Sequence, residues 1–398
     1  MEGRDWAALL AQTDAAQPSN LLATLLQRLG EAARADETLW RRYLDQVMGH
    51  FDSRALDLSI LGRQVEWLQR WVPGQQALPP SLRLLWLTAQ LARANHMGQT
   101  EQPWLKEMTA LASHLMDEDA RLVCRAELNL AVTATNRYDF EQAGAFLRRW
   151  NPSETRVAAG LRYWGQVRSS LGQHAAFRGD LAAAAGFFDE ALESFFRLSD
   201  PEQGRRETRQ TLTYRAIVLM DDPAHDAKTV REAVAAVTGS LPEAIVRLAR
   251  STANVDKYAH HLLLRWLIHR PEAAAARTYL AGRGHWDHDE GHPWPLIQLY
   301  RGLLLHPQDP QSARRLVLVG FTLAVAPDNG PVVQLIGACC RAIAVGWGET
   351  WPKSETLLST LEQILPLAAP RIAKVRAYLV QPGNPLTLLR DVLPFNFR

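Results

Sequence analysis

The residues best able to do chemistry crowd into one stretch. Seven of the 12 histidines fall between residues 260 and 306, and they are densest in His285-Trp286-Asp287-His288-Asp289-Glu290-Gly291-His292. Imidazole and carboxylate are the ligand types that zinc, iron and manganese accept. His285, Asp287, His288 and His292 are therefore a candidate set for a divalent transition metal such as zinc, and a metal-dependent hydrolase is one function class to weigh. Neither the H-E-x-x-H nor the H-x-x-E-H order is present, and Gly291 and Pro293 disfavour the helix that would align His288 with His292. The plainer expectation is a polar loop whose Asp287 or Asp289 caps neighbouring helices, with no cofactor required.

Other reactive types are scattered. His260 and His261 are adjacent on a helical stretch, so one is expected to face a core while the other meets solvent or a partner. Cys339-Cys340 lies in the apolar run Val332 to Val345 and reads as a pair of buried small hydrophobes. Gly282-x-Gly284 and Gly346-x-Gly348 lack the third glycine and the preceding strand of a dinucleotide site, and a G-x-S-x-G elbow is missing. The 44 basic and 42 acidic side chains leave a net charge of +2, which makes nucleic-acid binding the weakest function class. Arg205, Arg206, Arg209 and Arg215, interleaved with Glu202 and Glu207, read as a solvated helix face. Three cysteines cannot close a disulfide framework, and neither a leader pattern nor a long apolar span is present, so a soluble cytoplasmic protein without membrane contact is expected.

Helices must position these groups. At 47% hydrophobic and 22% charged residues the chain is expected to fold. Apolar residues recur at spacings of three and four at Leu22, Leu25, Leu26 and Leu29, at Leu58, Leu61, Val65 and Leu68, at Leu84, Leu87 and Leu91, and at Leu105, Met108, Leu111 and Leu115. Breakers such as Pro79-Pro80-Ser81, Asn151-Pro152-Ser153, Asp221-Asp222-Pro223 and Asp328-Asn329-Gly330-Pro331 separate about twenty helices. Arg315 to Val325 is rich in β-branched residues, but with no second strand to pair with it a helix is expected there too. Trp86, Trp164 and Trp266 sit on helical stripes and are expected in the core, whereas Trp286, Trp294, Trp347 and Trp351 lie beside Gly or Pro, where exposure and partner contact are expected.

One segment is self-similar. Leu171-Gly172, Ala175, the turn Gly179-Asp180, then Ala184-x3-Phe188 and Ala191 form a unit, and a weaker copy runs Leu130-Ala131, Ala134, Tyr138-Asp139-Phe140 and Ala143-x3-Leu147. This pattern resembles the tetratricopeptide repeat. Small residues let two antiparallel helices approach, and Phe188 fills the gap to the next pair. Glu127 and Arg168 stand where the family places tryptophan, the 41-residue offset between Ala143 and Ala184 exceeds the repeat's usual length, and the match covers only about residues 124–201. The flanks fit a HEAT-like or irregular solenoid equally well, and an ordinary helical bundle stays open.

The resemblance implies an all-α fold, a right-handed α-solenoid of antiparallel helix pairs without substantial β-sheet. A degenerate repeat region would span 1–201 and a C-terminal helical region 202–398, with a His/Trp-rich loop at 282–295. It further implies a scaffold or adaptor whose concave face binds another protein or a peptide. Inward-facing Asn129, Arg162, Gln166 and Ser169, together with Trp286 and Trp294, are the candidate partner contacts.

Overall fold

The computed structural model describes residues 80–96, 103–150, 152–250, 257–269, 275, 278–279, 295–326 and 329–393. Among the described residues there are sixteen α-helices, one 3-10 turn at Pro366–Ala368 and no strand. In chain order the helices are α1 (Pro80–His96), α2 (Leu105–His114), α3 (Ala120–Asn136), α4 (Phe140–Arg148), α5 (Ser153–Phe177), α6 (Leu181–Phe195), α7 (Pro201–Asp221) and α8 (Ala227–Thr238). They continue as α9 (Leu241–Arg250), α10 (Lys257–His269), α11 (Pro295–Leu305), α12 (Pro310–Ala324), α13 (Pro331–Gly346), α14 (Ser354–Ile364), α15 (Ala369–Val380) and α16 (Pro385–Val392). The β-branched stretch after Arg315 is helical, as part of α12. No helix among the described residues is long and apolar enough to cross a membrane.

The chain forms two compact units, one of Met1–His96 with Gln102–Asn129 and one of Met97–Glu101 with Leu130–Arg398. In the first, α1 packs on α2, Leu84, Leu87 and Leu91 are buried, and Arg83 sets its guanidinium fork on Glu107 at 2.7 and 2.8 Å. In the second, successive helices pack on one another: α5 on α6, α6 on α7, α7 on α8, α11 on α12 and α12 on α13. Helices that are not neighbours in this order also touch, α5 with α7, α7 with α10, α8 with α10, α11 with α13, and α13 with α15, and α10 packs on α11. The boundary expected at residue 202 falls inside this unit, where α7 packs on both α6 and α8.

Two rings set how α5 meets α6. A Cβ added at Gly165 would lie 2.4 Å from the Phe195 ring, and one added at Gly172 would lie 2.6 Å from the Phe188 ring. Seven residues forward on α5 correspond to seven residues back on α6, so the pair runs antiparallel, with each fully buried ring seated over a bare backbone. The α11–α12 pair is equally tight, since a Cβ at Gly302 would meet Val317 at 2.5 Å.

The turns of the self-similar segment share one geometry. At the end of α5 the amide of Asp180 reaches the carbonyl of Ala175 (3.0 Å) and that of Gly179 reaches Ala176 (3.0 Å), the paired bonds of a Schellman motif, with Gly179 at φ 83°. At the end of α3 the amides of Asp139 and Tyr138 make the same bonds to Ala134 and Thr135, both 2.9 Å. Asp180 and Asp139 then cap the next helix, accepting from the amides of Ala183 and Gln142 at 3.1 and 3.0 Å. The copies differ at the left-handed position, where one has glycine and the other Tyr138, at φ 62° the one non-glycine residue with positive φ among those described.

These local demands give two opposite expectations. Gly179 has open space around its α-carbon, so Gly179→Ala meets no clash but forces a left-handed alanine and should lower stability by about 1 kcal/mol. Gly186 lies within α6, exposed and equally unobstructed, so Gly186→Ala should raise stability by about 0.5–1 kcal/mol. Urea unfolding midpoints of the two variants check the pair.

Candidate functional site

Three of the groups chosen as partner contacts, Arg162, Gln166 and Ser169, are engaged by side chains of α7. Gln166 donates to Glu207 Oε1 at 2.9 Å, Arg162 lies 3.5 Å from the same oxygen, and the Ser169 hydroxyl is 3.4 Å from that of Thr211. All three reach from α5 to α7, across the contact between these alternate helices. Arg162 and Gln166 are half-buried, while Ser169 is buried. Asn129, in the other unit, donates to the carbonyl of Arg125 at 3.0 Å, and its own carbonyl accepts from Asn95 at 2.9 Å. Glu207 does not belong to a solvated face: it is buried, and it organises Arg162 and Gln166.

A second polar group lies deeper, where α7, α10 and α11 meet. Arg265 grips Asp221 with two bonds of 2.7 and 2.6 Å and lies 5.9 Å over the Tyr300 ring. His261 stands 5.1 Å from the same ring, and His260 Nδ1 is 3.0 Å from the Tyr279 hydroxyl. The expectation that one of the two histidines faces outward is corrected: both are 1% exposed. The reason is that α10 is packed by α7, α8, α9 and α11, so adjacent directions on its surface all lead into protein. Burial, reinforced by Arg265, holds the His261 imidazole well below its ordinary pKa and therefore neutral. His174, whose Nε2 lies 2.6 Å from the Phe140 carbonyl, is likewise lowered by burial and by Arg178 and Arg148.

Cys339 and Cys340 are fully buried free thiols, and burial pushes both far above the ordinary thiol range, which suits their expected packing role. Trp86, Trp164 and Trp266 are core residues, as their stripes indicate. Trp347 is half-buried and stacks on His306 with ring centroids 4.0 Å apart, and Trp351 is half-buried against Phe321. His285, Trp286, Asp287, His288, His292 and Trp294 lie outside the described residues, and among the described residues no cluster of His, Cys, Asp and Glu is arranged to hold a metal.

A third group was not foreseen from the sequence. Arg371, on α15, donates to the carbonyls of Phe177 (3.1 Å) and Val392 (3.2 Å), the last residues of α5 and α16. Its guanidinium also lies 5.2 Å from the Tyr138 ring centroid and 5.5 Å from that of Phe140, which in turn stacks on Phe177 at 5.5 Å. One side chain thus caps two helix ends whose carbonyls lack intrahelical donors.

No protein-family model matches this chain, and no curated protein or solved structure does either.

The buried ionic group yields two expectations. Asp221→Asn leaves the Arg265 charge buried and uncompensated, and should cost about 3–5 kcal/mol of unfolding free energy in a denaturant titration. His261 and His174 are depressed in the native state, so the unfolded chain binds protons more readily. Their stabilising contribution is complete above about pH 6.5 and is lost progressively as pH falls below that. Chemical denaturation from pH 7.5 to 5 should show that decline, and His174→Gln should make it shallower.

Proposed function

We propose that this protein is a scaffold or adaptor that binds another protein or a peptide through stacked, TPR-like helix pairs arranged as a right-handed α-solenoid. The observation behind the reading is that helices separated by one or two others pack together, α5 with α7, α7 with α10, α11 with α13 and α13 with α15, as the first helices of stacked pairs would. The repeated turn supports it, because the same Schellman bonds followed by an aspartate cap recur 41 residues apart at Tyr138-Asp139 and Gly179-Asp180.

Arg162 and Gln166 are the contact residues we assign on α5. Both are half-buried, and Glu207 holds both in place, so they meet a ligand with part of their ordering entropy already lost. Ser169 supports them from within through Thr211.

A photo-crosslinking amino acid placed at position 162 or 166, in the native host, should give a discrete adduct. The same residue at Lys228 or Glu232, exposed on α8, should not. Equal labelling at both faces, or none at 162 and 166, would contradict the assignment. Metal analysis of purified protein addresses the competing class: stoichiometric zinc, lost on His288→Ala, would replace the scaffold with a metal-dependent enzyme.

A further inference from the structure

We infer that Tyr138, Phe140 and the carbonyl end of α5 form a guanidinium-recognition site, filled within the chain by Arg371, and that α15 and α16 are thereby clasped to the first hairpin of their unit. The chemistry of the site selects a planar, forked cation. Two ring faces lie within 6 Å of the guanidinium carbon, where the ring quadrupole attracts positive charge. Two carbonyls on separate helix termini accept from different nitrogens, Nη1 to Val392 and Nη2 to Phe177, which an ammonium point charge cannot span in the same way.

The backbone gives independent support. The left-handed turn position before the aspartate cap is glycine at 179, and the corresponding turn after α13 is glycine again at 348, φ 97°. At 138 the chain accepts a strained tyrosine, whose buried ring faces Arg371. Of the turns compared, only this one, among the described residues, combines a left-handed residue that carries a side chain with a guanidinium over its ring; at the Gly348 turn Arg314 reaches the Trp347 carbonyl but meets no ring at the left-handed position.

The clasp is also narrow. Among the described residues, neither α15 nor α16 packs extensively against α4, α5 or α6; both pack on α13 and on each other. Arg371 bridges to Phe177 across 194 residues of chain. No carboxylate lies within ion-pairing distance of it among the described residues, and burial pulls its pKa down against the weaker pull of Tyr138 and Asp391. A contact of this kind is displaceable by a competitor of the same chemistry, and an arginine side chain from a bound peptide is that competitor. This last step rests on the peptide-binding reading above, whereas the cage itself does not.

The test is chemical rescue. In Arg371→Ala, N-ethylguanidinium should raise the thermal midpoint by about 2 °C at a tenfold excess over its dissociation constant, while ethylammonium at equal concentration should not. Adding Tyr138→Gly should abolish the response. Equal responses to the two cations, or none to either, would overturn the cage. The peptide acetyl-Gly-Arg-Gly-amide should stabilise Arg371→Ala more than its lysine counterpart. Rescue by ethylguanidinium without a response to that peptide would overturn the partner role and leave the internal clasp standing. If Arg371→Ala does not fold, hydrogen exchange on Arg371→Lys reads the same contact. Faster exchange confined to residues 178–180 and 390–393, with α13 still protected, supports it, and unchanged protection at both ends overturns it.

Discussion

Everything in the second unit depends on how closely α5 and α6 approach. Phe188 and Phe195 are buried completely, and they are accommodated because Gly172 and Gly165 offer no side chain at the points of contact. A ring on backbone gains dispersion contacts over its whole face, and the loss of two β-carbons lets the helix axes come closer than larger residues permit. That spacing then places α7 against both helices, which is what allows Glu207 to collect Arg162 and Gln166 and Thr211 to meet Ser169.

The polar groups of the second unit follow a consistent pattern. Where helices that are not chain neighbours touch, charged side chains take part: Glu207 toward α5, and Asp221 toward Arg265 of α10, whose guanidinium reaches over Tyr300 of α11. A buried ion pair adds little net stability compared with well-packed apolar residues, but it heavily penalises any register that separates its members. The rings set the spacing of α6 on α5, and the polar contacts fix how α7 lies against α5 and α10.

Much of this was legible in the sequence where a local signal exists. Proline announced the starts of α1, α5 and α13, and Gly179-Asp180 announced a turn that the structure forms. Three features were not legible, each for a physical reason. Tyr138 occupies a left-handed position without the glycine that would flag it. Glu207 and the His260-His261 pair are buried because of neighbours far along the chain, whereas helical periodicity reports only that a helix has two sides. The reach of Arg371 to Phe177 depends on the whole intervening chain, and no spacing rule encodes it. Of the residues singled out for function, Arg162, Gln166 and Ser169 all turn toward α7, but Glu207, which binds the first two, was read as solvent-facing, and the histidine-rich stretch at 285–292 lies outside the described residues.

The most direct test of the packing account is a double-mutant cycle between Gly172→Ala and Phe188→Leu, read as unfolding free energies. Alanine at 172 should clash with the ring, leucine at 188 should leave a void, and the two together should relieve each other, giving a favourable coupling of about 1 kcal/mol or more. Effects that add to within about 0.5 kcal/mol would mean that the ring does not sit over the glycine and that something else sets the register of the helix pair.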